Sequence, residues 1–183
     1  MRTPLEFFKA VLFERESVIL PFTNAETPGA RRMGAEANRA EQNPTATELE
    51  RVEELLEAAR YNDIDDVIKL AAVGVSLDSK DEEGRTALHM ASANGNVDIV
   101  NYLISNKVDV NASNVENNTP LHWACLNGRI EVVKILILAG ADVSSLNRHE
   151  RTPVDEAAIG GKMDVIDAIN TTVAQLELTR ASV

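Results

Sequence analysis

Few side chains of this 183-residue chain could do chemistry. Its three histidines, His89, His122 and His149, invite a zinc reading, since an imidazole nitrogen is a common zinc ligand. Its one cysteine, Cys125, follows His122 by three residues, a spacing that allows a thiol–imidazole pair on one helix face. Glu48, Glu50, Glu53, Glu54 and Glu57 make an acidic run. No glycine-rich phosphate loop, paired-carboxylate site or Ser-His-Asp order stands out. What these residues can do depends on the elements that hold them.

Those elements repeat. DEEGRTALHMASANGNVDIVNYLISNKVDVNAS from Asp81 and NVENNTPLHWACLNGRIEVVKILILAGADVSSL from Asn114 align without a gap at a spacing of 33. Thr86 meets Thr119, Leu88 meets Leu121, His89 meets His122, Gly95 meets Gly128 and Leu103 meets Leu136. A third copy begins at Asn147, with Thr152, Pro153, Ala157 and Gly161 on schedule. A fourth, weaker copy lies upstream from Glu48, where Leu55, Ala58, Val67 and Leu70 keep the apolar register.

Each unit reads as two short antiparallel helices and an extended turn. In the unit from Asn114, Thr119 is the N-cap and Pro120 takes the first helical position, where its missing N–H costs no bond. Leu121, Ala124 and Cys125 form a narrow apolar face, and Gly128 ends the helix. Val132, Val133, Leu136 and Ile137 are the buried stripe of the second helix, closed by Gly140. No unit buries its apolar face alone, so the end units should differ. The first turns the Glu48–Glu57 run outward as a solvated cap. The last puts Asp155 where the others have histidine and is expected to end in the polar Asn170, Thr171 and Thr172.

TALHMASANG and TPLHWACLNG resemble the signatures of the ankyrin-repeat family, over roughly residues 48 to 172. The resemblance implies an all-α solenoid of about four helix-turn-helix units with projecting turns, binding proteins on its concave face. The adjacent pair LHMASANG and LHWACLNG, in a four-repeat acidic chain, also looks like the small fungal ankyrin-repeat chaperones of a small-subunit ribosomal protein.

The repeat decides the chemistry. Equivalent positions in stacked helices lie roughly 8–10 Å apart, whereas zinc holds its ligand nitrogens at about 2 Å. His89 and His122 are therefore expected in a buried hydrogen-bond network tying each turn to its neighbour, and His149 on a solvated turn tip. Cys125 fills the small-residue slot shared with Ser92 and Ala158. The chain is read as no enzyme, with no metal and no cofactor.

Composition points to a protein partner. Acidic residues outnumber basic ones 29 to 18, a net charge of -11, which repels nucleic acid and anionic membrane and favours a basic protein. A single cysteine fits a reducing compartment, cytoplasmic or nuclear, and no run approaches a membrane-spanning length. Residues 1–47 hold equal numbers of acidic and basic residues, so the whole -11 belongs to residues 48–183. All four phenylalanines (Phe7, Phe8, Phe13, Phe22) fall in an N-terminal extension, residues 1–32. It reads as a stretch upstream of an alternative start at Met33, as a short docking helix, or as a disordered tail. Residues 33–47 read as linker, 48–178 as the repeat domain with units from about 48, 81, 114 and 147, and 179–183 as a tail.

The turn tips and the outward slots of each unit's first helix remain for a partner. Glu82, Glu83, Arg85 and Met90 supply them in the second unit, Glu116, Trp123 and Leu126 in the third, and Arg148 and Ile159 in the fourth. Asn118 and Glu156 occupy further slots of the same kind. Trp123 and Met90 share one slot, and half-exposed they would make an apolar stripe with Leu126 and Ile159, acidic at one end. The partner is read as a protein client, basic in charge, held by a monomer: a chaperone or escort, for instance of a ribosomal protein, or alternatively an adaptor in signalling or transcription.

Overall fold

The computed structural model describes residues 46–181, and among these the regular secondary structure is all helix. The eight helices are α1 (Ala46–Tyr61), α2 (Ile64–Ala72), α3 (Ala87–Asn94), α4 (Val97–Ser105), α5 (Pro120–Leu126), α6 (Ile130–Leu138), α7 (Pro153–Ile159) and α8 (Met163–Ala181). They pair as four units. The first helices stack closely in the order α1, α3, α5, α7, and the second helices pack behind them, with α8 closing broadly over α6. The readings of residues 1–32, and of the linker up to residue 45, lie outside the described residues.

The 33-residue period recurs in the contacts. Leu55, Leu88, Leu121 and Ala124 are fully buried between first helices, and Val132, Val133 and Leu136 bury the stripe expected of α6. One polar slot ties the second unit to the first and the third to the second. Asn96 Nδ2 donates to the Ala59 and Arg60 carbonyls at the end of α1 at 2.7 and 3.1 Å, and Arg129 Nε donates to the Ala93 carbonyl at 3.0 Å. Turn tips are tied as well: Val115 N–H donates to the Glu83 carbonyl at 2.9 Å, and Arg148 N–H to the Glu116 carbonyl at 2.8 Å.

The same period governs backbone handedness. The turn slot at 84, 117 and 150 is left-handed throughout, and only the first is glycine: Gly84 has φ +72, Asn117 +57 and Glu150 +57. At Gly84 a side chain would also meet the Asn114 Cα at 3.2 Å, so two neighbouring turns approach through a space only glycine leaves open.

Helix α1 begins at Ala46 and α8 runs to Ala181. Asn170, Thr171 and Thr172 lie inside α8 and do not end it. Val165, Ala168, Ile169, Thr172, Val173 and Leu176 keep helical spacing, and the first four are buried. No glycine or proline follows Gly161 to stop the helix. Thr172 satisfies its hydroxyl by donating to the Ala168 carbonyl at 2.7 Å.

Candidate functional site

His89 and His122 are structural. His89 Nδ1 accepts from Thr86 N–H at 3.2 Å and lies 2.9 Å from Thr86 Oγ1, closing the N-terminus of α3. Its Nε2 lies 2.9 Å from the Asn118 carbonyl of the next turn. An Nδ1 that accepts leaves the proton on Nε2, where it bridges the units. His122 repeats the pattern, with Thr119 N–H at 3.1 Å and the Arg151 carbonyl at 3.1 Å. Burial pushes the His89 pKa down to about 4 and lowers that of His122. Both rings stay neutral at pH 7. In the last unit Asp155 Oδ2 accepts from Thr152 N–H at 2.8 Å and from its hydroxyl at 2.7 Å. That is the inward half of the histidine's task.

Cys125 is buried, and its thiol is pushed up to about 12 by that burial. His122 has both nitrogens engaged, so it is no base for this thiol. Among the described residues no three His, Cys, Asp or Glu side chains converge where a metal ion could sit. His149 is exposed on its turn.

The surface slots divide into three places. Trp123 and Leu126 lie one turn apart on α5, and Ile159 stands on α7 in the slot that Leu126 takes on α5. Trp123 is half-buried, its ring edge-to-face with His89 at 5.4 Å and 75°, while Leu126 and Ile159 are exposed. Gly160 allows the ends of α5 and α7 to close up, since a Cβ there would lie 3.3 Å from the Leu126 carbonyl oxygen. Met90 does not join this stripe. It is 3 % exposed, because α1 stacks on α3 and covers the slot that α3 leaves half-open for Trp123. Asn118 and Glu156 are buried too. Asn147 Nδ2 links them, donating to Asn118 Oδ1 at 2.9 Å and Glu156 Oε1 at 2.8 Å.

Glu116 and Arg148 sit exposed at successive turn tips, and Glu116 Oε2 accepts from Asn118 Nδ2 at 3.2 Å. Arg85 is less free. It braces its own turn, reaching Asp81 at 2.6 Å and Glu83 at 2.8 Å.

Glu82, Glu83 and Met90 instead belong to a groove of about 540 Å³ between α1 and the turn before α3. Seven carboxylates line it: Glu50, Glu53, Glu54 and Glu57 from α1, and Asp81, Glu82 and Glu83 from the turn. Leu56 and Met90, both buried, supply the apolar lining, and Arg60 and Arg85 are its cations. Along the sequence the acidic run and the acidic turn stand apart. Their union was encoded in two signals taken together. Residues 50, 53, 54 and 57 fall on one helix face, and the 33-residue phase sets α1 beside α3 and its turn.

The family described as Ankyrin repeats (3 copies) matches residues 55–147, just over half of the chain. Over 50 residues, 27% of this chain, it is 42% identical to "Glutaminase liver isoform, mitochondrial" of Rattus norvegicus, covering 8% of that protein. Over 52 residues, 28% of this chain, it is 44% identical to "Diacylglycerol kinase zeta" of Homo sapiens, covering 6% of that protein. The chain thus spans under a tenth of the length of either relative. Among the described residues no helix is long and apolar enough to cross a membrane. Four stacked helix pairs in a 33-residue period, histidines bonded from one turn to the next, and the family match over half the sequence lead to one conclusion: this chain belongs to the ankyrin-repeat family, whose fold is a protein–protein interaction module.

Proposed function

We propose that this protein is a chaperone or escort for a basic client protein, such as a ribosomal protein, in the cytoplasm or nucleus. The groove carries the reading: seven carboxylates around a small apolar lining suit lysine and arginine side chains, whose stems are apolar and whose heads are charged. Trp123, Leu126 and Ile159 offer a second, apolar contact for the same client, and tryptophan is a frequent anchor at interfaces. The charge is graded to match. Counted by unit from residues 48, 81, 114 and 147, the net values are -5, -3, -1 and -2. Attraction therefore pulls a basic segment toward the groove end of the stack.

A general adaptor in signalling or transcription is the alternative, and it needs no such charge. The test is protection. At equimolar ratio the protein should keep a purified basic ribosomal protein soluble where that protein alone precipitates. Failure, or equal protection by unrelated acidic proteins, leaves the adaptor reading in place.

A further inference from the structure

Arg60 stands at the end of α1 with its carbonyl held by Asn96 Nδ2 at 3.1 Å. Its side chain lines the acidic groove, and Nη2 rests 3.5 Å from Met90 Sδ. Among the described residues no carboxylate lies within ion-pair distance of it, although the groove holds seven. Arg85, the other groove cation, is forked by Asp81 and Glu83. The two guanidiniums therefore differ. One braces a turn, whereas the other lies on the thioether in the groove's apolar lining and is exposed. A guanidinium is more weakly hydrated than an ammonium, so it sets an N–H against a soft, polarisable sulfur more readily.

We propose that Arg60 is a resident stand-in for a client's arginine: it occupies the groove over Met90 and swings aside when an arginine-bearing segment enters. This rests on the groove being the client site. A closed groove lowers the apparent affinity by the fraction of time it stands open, so removing the stand-in should tighten binding. The client segment should also be richer in arginine than in lysine at the residue that reaches Met90. Displacement breaks no ion pair, only the contact to Met90, so exchange should be fast.

The experiment measures fluorescence anisotropy of labelled hexa-arginine and hexa-lysine peptides with the full chain and its variants. Arg60→Ala should bind hexa-arginine about five- to tenfold tighter than wild type, with a smaller gain for hexa-lysine. Arg51→Ala is the charge control. Arg51 is exposed and borders a different cleft, beside Val52, Val73 and Val75, so it removes the same charge without opening the groove. Equal gains in the two variants, or weaker binding by Arg60→Ala, would overturn the stand-in. If Arg60→Ala lowers the melting midpoint, Arg60→Lys makes the comparison at constant charge, and a gain below about twofold overturns it. The triple variant Glu53→Gln, Glu54→Gln, Glu57→Gln separates the two claims. Unchanged peptide binding there defeats the groove and the stand-in together. Lost binding there, with no gain at Arg60, defeats the stand-in alone.

Discussion

Protonating His89 would put a charge in a buried site and cost the fold the bond that Nδ1 accepts from Thr86 N–H, while Nε2 keeps its proton and its bond to the Asn118 carbonyl. Its pKa falls from 6.5 to about 4 on folding, so the unfolded chain binds that proton more readily than the folded one. The stability it contributes is complete above about pH 6.5 and is lost as pH falls toward 4. His122 shifts in the same direction. The urea midpoint should therefore drop between pH 7 and 4.5, with a loss of stability on the order of 2 kcal/mol from His89. Asp142 and Asp155, lowered from 3.8, add their loss only at lower pH. A midpoint flat across that range would contradict the buried neutral rings. Ser92 makes the opposite case. Its Oγ is buried with no hydrogen-bond partner, in the slot where Ala158 and Cys125 stand in other units. Ser92→Ala should raise stability by about 1 kcal/mol in the same titration. The histidine roles were legible from the TPLH-type signature. Met90's burial was not, because the first unit lacks that signature and nothing local shows α1 covering it.

Helices and turns were legible where the period is strict. Thr119 caps α5, Pro120 starts it, and Leu121 and Leu136 are fully buried, as their spacing requires. Leu121→Ala or Leu136→Ala should cost about 2–5 kcal/mol, and a loss below about 1 kcal/mol would show the register to be misassigned. Less legible are the left-handed positions filled by ordinary residues. Lys107 has φ +63 where the neighbouring units have Gly74 and Gly140, and Glu150 has φ +57 where the second unit has Gly84. Each holds a strain that glycine avoids, so Lys107→Gly and Glu150→Gly should each stabilise by about 1 kcal/mol, despite glycine's greater freedom when unfolded. Raised thermal midpoints would confirm this; lowered ones would mean side-chain contacts there outweigh the backbone. The length of α8 was missed for a related reason. Polar residues at 170–172 suggested an end, but the buried stripe continues through Thr172.

At the scale of the molecule, charge decides where a basic partner first meets the chain. The net charge was plain in the composition; its focus in one groove needed the stacking of α1 beside α3 and its turn. Rim charges govern approach and its salt dependence, while desolvated apolar anchors govern how long a complex lasts. Trp123→Ala should thus speed dissociation without changing the salt dependence of association, provided the melting midpoint is kept. The groove makes the sharper demand, because it assigns the attraction to a place. Stopped-flow association of a basic ribosomal protein can be compared across salt for wild type and two charge-matched variants. One neutralises Glu50, Glu53, Glu54 and Glu57 in the groove; the other neutralises Glu131, Asp164, Asp167 and Glu177, all exposed on α6 and α8. The groove variant should associate about tenfold or more slowly at low salt with a flattened salt slope, and the other should stay near wild type. Equal slowing in both would mean that net charge alone attracts the client and that the groove does not hold it.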